Sequence, residues 1–242
     1  MRALYPGGPE VSSIAWGMWR FAGDDLAAAE ARIQAALDAG VTLFDTADIY
    51  GPDNGEPFGA AEALLGRVLA GNPGLKSRMV IATKGGISMG VPYDSSAAYL
   101  ASAIDASLSR MGVDHVALWQ IHRPDLLTHP AEIGEALLAA HQAGKIGAVG
   151  VSNFTPWQVE ALAAHLPLPI VSCQPEFSPL AVGPLSDGVL DQAIARGMAV
   201  LAWSPLGGGR LANPANDRDR AVAQALDTKA EAAGVSRAAA AY

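Results

Sequence analysis

Leu43-Phe44-Asp45-Thr46-Ala47-Asp48-Ile49-Tyr50-Gly51 starts as an apolar run and then releases a carboxylate and a phenol within a few residues. Two later runs end in the same manner. Met79-Val80-Ile81-Ala82-Thr83 leads into Lys84, and Val116-Ala117-Leu118-Trp119-Gln120-Ile121 leads into His122. A strand seldom places a lysine at its last buried position unless a carboxylate stands opposite. Asp45, Tyr50, Lys84 and His122 therefore read as one proton-transfer set, gathered at the C-terminal ends of consecutive strands.

Working outward, the same rhythm fills the chain. Apolar or β-branched runs at 14–20, 41–45, 79–84, 115–122, 146–152, 170–174 and 198–203 alternate with longer segments of helical period. In one of these, Leu100, Ile104, Leu108 and Met111 recur three or four apart; 25–39, 58–69, 131–143, 155–166 and 185–195 behave alike. Gly40, Gly112, Gly144 and Gly197 fall between a helical segment and the next strand, where a left-handed cap favours glycine. Strand–helix alternation predicts a parallel α/β fold. No G-x-G-x-x-G follows the first strand, which argues against a doubly wound dinucleotide domain. Polar groups leaving many strand ends fit a β/α barrel, whose mouth is built at those ends. By the side-chain period of two, Leu43 shares the inner face with Asp45, Ala82 with Lys84, and Gln120 with His122, while Trp119 faces the helices. Ahead of the barrel, Pro6-Gly7-Gly8-Pro9 turns a small hairpin over 2–13.

Composition narrows the function classes. With 242 residues, half of them hydrophobic, the chain is expected to form a single domain, 1–242. A net charge of -8 without a Lys/Arg stripe speaks against nucleic acid as a partner. Cys173 is the sole cysteine, so no disulfide forms within the chain. Neither a signal peptide nor a membrane span is visible, and the expected location is the cytoplasm. No feature points to a protein partner, and His115, His129, His141 and His165 lack metal-ligand spacing, so no metal is expected.

Further motifs extend the set: Ile-His-Arg-Pro-Asp at 121–125, Gly-Val-Ser-Asn-Phe at 150–154, Gln174 closing a strand, and Trp203-Ser204-Pro205-Leu206-Gly207-Gly208-Gly209-Arg210. Together with Asp-Thr-Ala-x-x-Tyr-Gly at 45–51 and the strand-end Lys84, these occur in the order found in the aldo-keto reductases, and over nearly its whole length the chain resembles that family. The resemblance implies a (β/α)8 TIM barrel that reduces an aldehyde or ketone with NADPH, NADH being possible.

The chemistry also follows from the residues. Carbonyl reduction needs hydride at carbon and a proton at oxygen. A tyrosine can give the proton, although its ordinary pKa of about 10 makes it a reluctant acid. Lys84 would stabilise the developing phenolate on Tyr50, Asp45 would hold Lys84 charged, and His122 would donate a hydrogen bond to the carbonyl oxygen. No side chain is a hydride donor, so a cofactor is required. The resemblance gives Ser152, Asn153 and Gln174 to the nicotinamide carboxamide and Trp203 to the face of its ring. It gives Leu206, Gly207, Gly208 and Arg210 to the pyrophosphate and Ser204 to the cofactor site, and it makes Trp19 a wall of the substrate pocket.

Read singly, these residues have other roles open to them. Asp45 and Lys84 could be a structural ion pair, Trp203 a core residue, Ser152 and Asn153 a loop and helix cap, and Gly207 to Gly209 a plain loop. Lys84 could instead form a Schiff base in a lyase or aldolase, although a lysine paired with a carboxylate is a poor nucleophile. Asp48 and Asp125 read as loop residues without a role. Only seven strand–helix units are countable, so an eighth is expected to be missing at the C-terminus. On that count the chain would be a shortened reductase, and a non-catalytic or weakly active cofactor-binding barrel is the remaining alternative.

Overall fold

Short apolar runs become strands, and segments with apolar residues three or four apart become the helices covering them. The computed structural model describes residues 1–91 and 93–242. The chain forms two compact units, Met1–Ser172 and Cys173–Tyr242.

The first unit opens with the expected hairpin, β1 (Arg2–Ala3) antiparallel to β2 (Glu10–Val11). After it come β3 (Ala15–Gly17), α1 (Leu26–Asp38), β4 (Leu43–Asp45), α2 (Ala60–Gly71), β5 (Val80–Gly85), α3 (Ala97–Met111), β6 (Leu118–Ile121), α4 (Pro130–Gln142), β7 (Val149–Ser152) and α5 (Pro156–Ala163). Strands β3 to β7 pair in chain order, each parallel to the last. The register sets Asp45 beside Ala82, Lys84 beside Gln120 and Gln120 beside Gly150. Asp45 and Lys84 consequently emerge from neighbouring strands at the same C-terminal edge.

Helix boundaries follow their capping chemistry. Asp25 accepts from the Ala28 N–H at 3.0 Å, Ser96 from Tyr99, and Thr155 with Gln158 closes a reciprocal capping box ahead of α5. Thr155, and not Ser152 or Asn153, is thus the cap of that helix. The core joins Ile33 of α1, Phe44 of β4, Leu65 of α2, Ile104 of α3 and Trp119 of β6, all essentially inaccessible to solvent. Five of the seven runs give shorter strands than the sequence predicts, the seventh shrinking to Ala199–Val200. The first breaks into a 3-10 turn at Met18–Arg20, closed by the Phe21 N–H on the Met18 carbonyl and anchored by the fully buried Met18. In the fourth, Val116 makes only an isolated bridge to Ile146 before the ladder begins.

β8 (Ile170–Gln174) crosses the boundary between the units. The second unit continues with α6 (Val189–Arg196), β9 (Ala199–Val200), α7 (Asp217–Ala233) and α8 (Arg237–Ala241). The chain after β8 pairs with the chain after β9 through Leu201 N–H on the Cys173 carbonyl at 2.9 Å and Trp203 N–H on the Pro175 carbonyl at 3.0 Å. Helix α8 is fastened by Arg237, whose guanidinium takes both carboxylate oxygens of Asp227 at 2.6 Å and the Leu211 carbonyl at 2.7 Å. Counting β3 to β9, seven strands follow the hairpin, and no eighth occurs among the described residues. No helix among them is long and apolar enough to cross a membrane.

Candidate active site

Lys84 is the inward-facing residue next to the end of β5, and none of its surface meets solvent. An ammonium so placed must satisfy its protons within the protein. It donates to Asp45 Oδ2 at 2.6 Å and to the Thr46 carbonyl at 2.7 Å, and its Nζ stands 5.0 Å from the centre of the Tyr50 ring. Burial works to strip its proton, but the Asp45 carboxylate and Tyr50 outweigh burial and lift the pKa above the ordinary lysine value. A lysine held charged and sealed from solvent cannot serve as a Schiff-base nucleophile, and the lyase reading loses its support.

Behind Asp45 runs a buried polar chain. Gln120 Nε2 donates to Asp45 Oδ1 at 3.1 Å, and Ser172 Oγ lies 3.4 Å from Gln120 Oε1. Gly150 makes room for it, since a Cβ there would stand 2.1 Å from Ser172 Oγ and 3.0 Å from Gln120 Cγ. The glycine of the Gly-Val-Ser-Asn-Phe motif is therefore a clearance around the support of Asp45. Strand parity sets Gln120 on the inner face but gives it no role, and nothing in the spacing marks Ser172. The signal was the polar residue itself, interrupting Leu118-Trp119-Gln120-Ile121 and Ile170-Val171-Ser172-Cys173.

On the other side of Lys84, Tyr50 meets His122 edge to face, with ring centres 5.9 Å apart and planes at 79°. Burial raises the Tyr50 phenol above its usual range, and Lys84 pulls it back only in part. The lysine thus acts in the expected direction, but the desolvation of the ring outweighs it. For His122, burial comes first and the Lys84 charge second, and together they push the imidazole down to about 2. It is neutral at any working pH. Its Nδ1 is buried without a partner, so Nε2 is the nitrogen left to meet a carbonyl oxygen.

Ser152 and Asn153 close β7 beside this group. Asn153 has a left-handed backbone, φ 60°, and its Nδ2 contacts the His122 carbonyl at 3.3 Å and Ser152 Oγ at 2.8 Å. Trp19 follows β3 in the 3-10 turn. Its indole N–H donates to Asp53 Oδ2 at 3.1 Å, Arg20 lies over its ring, and Asn54 Nδ2 donates to its carbonyl at 2.6 Å. Asp53 and Asn54 follow Tyr50-Gly51-Pro52, so Trp19 is tied to the segment that carries the phenol.

In the second unit, Gln174 ends β8 nearly buried, and Trp203 bridges to Glu176. Ser204 is the other left-handed non-glycine residue of the described chain, φ 49°, and its carbonyl accepts from Gly207. Leu206 leads into the 3-10 turn Gly207–Gly209, where Gly207, Gly208 and Gly209 all have positive φ. Gly207 is packed so closely on Leu180 that a Cβ would stand 2.7 Å from Leu180 Cδ1. The segment is thus a shaped turn and no slack loop. Arg210 Nε donates to the Gly207 carbonyl at 3.2 Å, and its guanidinium lies 3.7 Å from buried Asp219.

Two aspartates read as idle are not. Asp125 gathers the Ser95 N–H, the Leu127 N–H and the Thr128 hydroxyl at 2.6 to 3.0 Å. Asp48 is buried beside the site, with 1 % of its surface exposed. Three histidines outside the site serve the backbone: His115 and His141 bond to the carbonyls of Gly144 and Ile146, and His129 caps α4; His165 packs edge to face on the His129 ring. Among the described residues no cluster could hold a metal ion.

Comparison with known proteins gives one consistent picture. The model of the Aldo/keto reductase family matches residues 13–242. A "6-dehydroglucose reductase" of Novosphingobium aromaticivorans is 55% identical over 243 residues, covering 100% of this chain and 80% of its own length. A protein of the same name from Agrobacterium fabrum is 42% identical over 84% of this chain and 70% of its own. Among solved structures, a glycerol dehydrogenase of Gluconobacter oxydans superposes with a TM-score of 0.85 at 30% identity, over 98% of this chain and 80% of its own.

Proposed function

The chain belongs to the aldo/keto reductase family, an oxidoreductase with the α/β barrel fold of its relatives, and from that premise we propose that it reduces the aldehyde of an oxidised sugar to an alcohol, with Tyr50 as the proton donor. The observation that carries the reading is Lys84: a fully buried ammonium clamped by Asp45 and the Thr46 carbonyl, with its third side turned to the Tyr50 ring. A purely structural pair would have no need of a phenol against the cation.

NADPH, or NADH in its place, supplies the hydride when bound. Ser152 and Asn153 offer what a nicotinamide carboxamide needs, a hydroxyl and a side-chain amide presented by a left-handed turn next to His122. On the ground of the resemblance, Gln174, Trp203, Ser204, Leu206, Gly207, Gly208 and Arg210 keep the cofactor roles described above, and Trp19 its place in the substrate wall. His122 Nε2–H orients the carbonyl oxygen and shares its developing charge. The Tyr50 hydroxyl gives that oxygen its proton, Lys84 stabilises the phenolate left behind, and solvent restores the phenol. Asp45, held in turn by Gln120, keeps Lys84 charged and in place.

The substrate proposed is 6-dehydroglucose, the compound named for the two relatives at 55% and 42% identity. Following NADPH oxidation with that sugar tests the reading. Tyr50→Phe is expected to lower kcat by about 10²- to 10⁴-fold, the range of a lost general acid. Cofactor affinity, followed by tryptophan fluorescence, should stay unchanged. A Phe variant that keeps most of the parent's rate would remove Tyr50 from the chemistry.

A further inference from the structure

Trp19 is held, by its indole and by its carbonyl, to one turn of the chain. The 3-10 segment that carries it is pinned from within by Met18 and Phe21, both buried, which leaves Trp19 and Arg20 between them at the surface; Trp19 keeps 40% exposure. Its indole N–H donates to Asp53 Oδ2 at 3.1 Å, and its carbonyl accepts from Asn54 Nδ2 at 2.6 Å. Further along, the Gly23 N–H donates to Glu56 Oε1 at 2.6 Å, and Arg67 of α2 reaches the Gly23 carbonyl at 3.4 Å. The segment between β3 and α1 is thus fastened by side chains to 53–56 at two places.

The turn on the other side of these bonds has little freedom of its own. The Gly51 carbonyl accepts from the Asn54 N–H at 2.8 Å and the Glu56 N–H at 3.1 Å, and a Cβ on Gly51 would run into the Pro57 carbonyl oxygen. Gly55, φ 76°, takes the left-handed conformation that closes the turn. The Tyr50 carbonyl accepts from the Ala61 N–H of α2 at 3.1 Å. Asp53 is therefore a fixed point shortly after the phenol in the chain.

An indole has one hydrogen-bond donor, and Asp53 takes it. Trp19 is left with only its ring to offer a ligand, and Arg20 lies over that ring at 5.5 Å from its centre. The face of an aromatic ring is negative, and C–H groups on hydroxyl-bearing carbons are polarised positive, so a ring so held suits the carbon skeleton of a sugar and not its hydroxyls. Hydrogen bonds at the surface add little to stability, because water serves the same groups nearly as well. Asp53, Asn54 and Arg20 converging on one exposed indole fix a position more than they hold the fold together.

We propose that Asp53 is a positioning residue for substrate specificity: it holds the Trp19 indole by its N–H, so that the ring and not the N–H lines the site for a polyhydroxylated aldehyde. Asp53 acts through Trp19 and does not touch the substrate. This rests on Trp19 standing in the substrate wall, as proposed above.

The test is a double-mutant cycle on KM for glyceraldehyde with saturating NADPH. Asp53→Ala frees the indole and is expected to raise KM about three- to tenfold, the scale of one aromatic contact, with kcat unchanged. Asp53→Asn keeps an oxygen that accepts from the indole and should restore the parent's KM. Trp19→Phe keeps a ring but has no N–H to hold, so its KM should rise as well, and adding Asp53→Ala to it should change nothing further. An Asp53→Ala effect that persists in full beside Trp19→Phe would put Asp53 on the substrate itself and overturn the proposal. An Asp53→Asn variant as impaired as Asp53→Ala would overturn it too, and so would a large fall in the Tm of Asp53→Ala, which would make the contact a structural one. Trp19→Ala separates this proposal from the reading beneath it. If Trp19→Ala raises KM and Asp53→Ala does not, the wall stands and the role of Asp53 falls; if Trp19→Ala leaves KM at the parent's value, the wall itself fails. Glyceraldehyde as the probe keeps the result independent of whether 6-dehydroglucose is the substrate, and KM can be read whether or not Tyr50 is the acid.

Discussion

Among the described residues of the first unit two ion pairs have a buried carboxylate, and nearly the same distance closes both: Lys84 to Asp45 at 2.6 Å and Arg110 to Glu62 at 2.7 Å. They differ in what else touches them. Around Arg110 and Glu62 the hydroxyls of Ser107 and Thr83 complete the hydrogen bonding, and the group ties α2 to α3 and β5. Around Lys84 and Asp45 the third contact is a phenol, which has a proton to transfer and a histidine ring against it. A buried ion pair is thus poor evidence of function by itself. It becomes evidence when its remaining valence is turned toward a group that can change protonation.

The sharpest way to break that contrast is Lys84→Met. It leaves Asp45 buried with only Gln120 as a side-chain partner and removes the cation that stabilises the phenolate. Stability is expected to drop by about 3–5 kcal/mol, as for other broken buried pairs, and reduction to fall to background. Adding Asp45→Asn should recover part of the stability and none of the rate. Denaturant unfolding and steady-state kinetics read the two effects separately, and a Lys84→Met protein as active as the parent would place both ion pairs in the same structural class.

Next in size is Arg110→Met. Glu62 would lose its counter-ion in a fully buried position, at a cost of about 3 kcal/mol or more. The folded fraction should nevertheless turn over at the parent's kcat at pH 6, because nothing in this pair meets the phenol. A kcat loss as large as that of Lys84→Met would show the two regions to be one network.

The sequence revealed one of these pairs and hid the other, for a physical reason. Lys84 ends an apolar strand, where a charge needs an explanation, and Asp45 ends the neighbouring run with Tyr50 close behind. Glu62 and Arg110 lie in helical segments, where charged residues ordinarily face water, so nothing in their spacing marks them as buried. Asp48 was hidden likewise: aspartate is common in loops, and only the packing of Gly85, Tyr99 and Glu62 around it shows otherwise. The alternation of strands and helices was legible throughout, because burial on both faces leaves continuous apolar runs. The strand limits were less so, since an apolar residue such as Met18 fits a 3-10 turn as well as a strand.

The smallest expected effect supplies the baseline for both pairs. Lys145 and Asp105 approach to 2.5 Å, as close as either buried pair, but their side chains keep 39% and 56% of their exposure. Water solvates each charge almost as well without the partner, and holding two mobile side chains together costs entropy, so the net gain is slight. Lys145→Ala is therefore expected to cost under about 1 kcal/mol, less still as salt screens the pair, and to leave kcat unchanged. Urea unfolding of the Lys145 and Arg110 variants at two salt concentrations makes the comparison direct. If the exposed pair cost as much to break as the buried one, distance and not burial would set the energy, and the contrast between the two interior pairs would lose its physical footing.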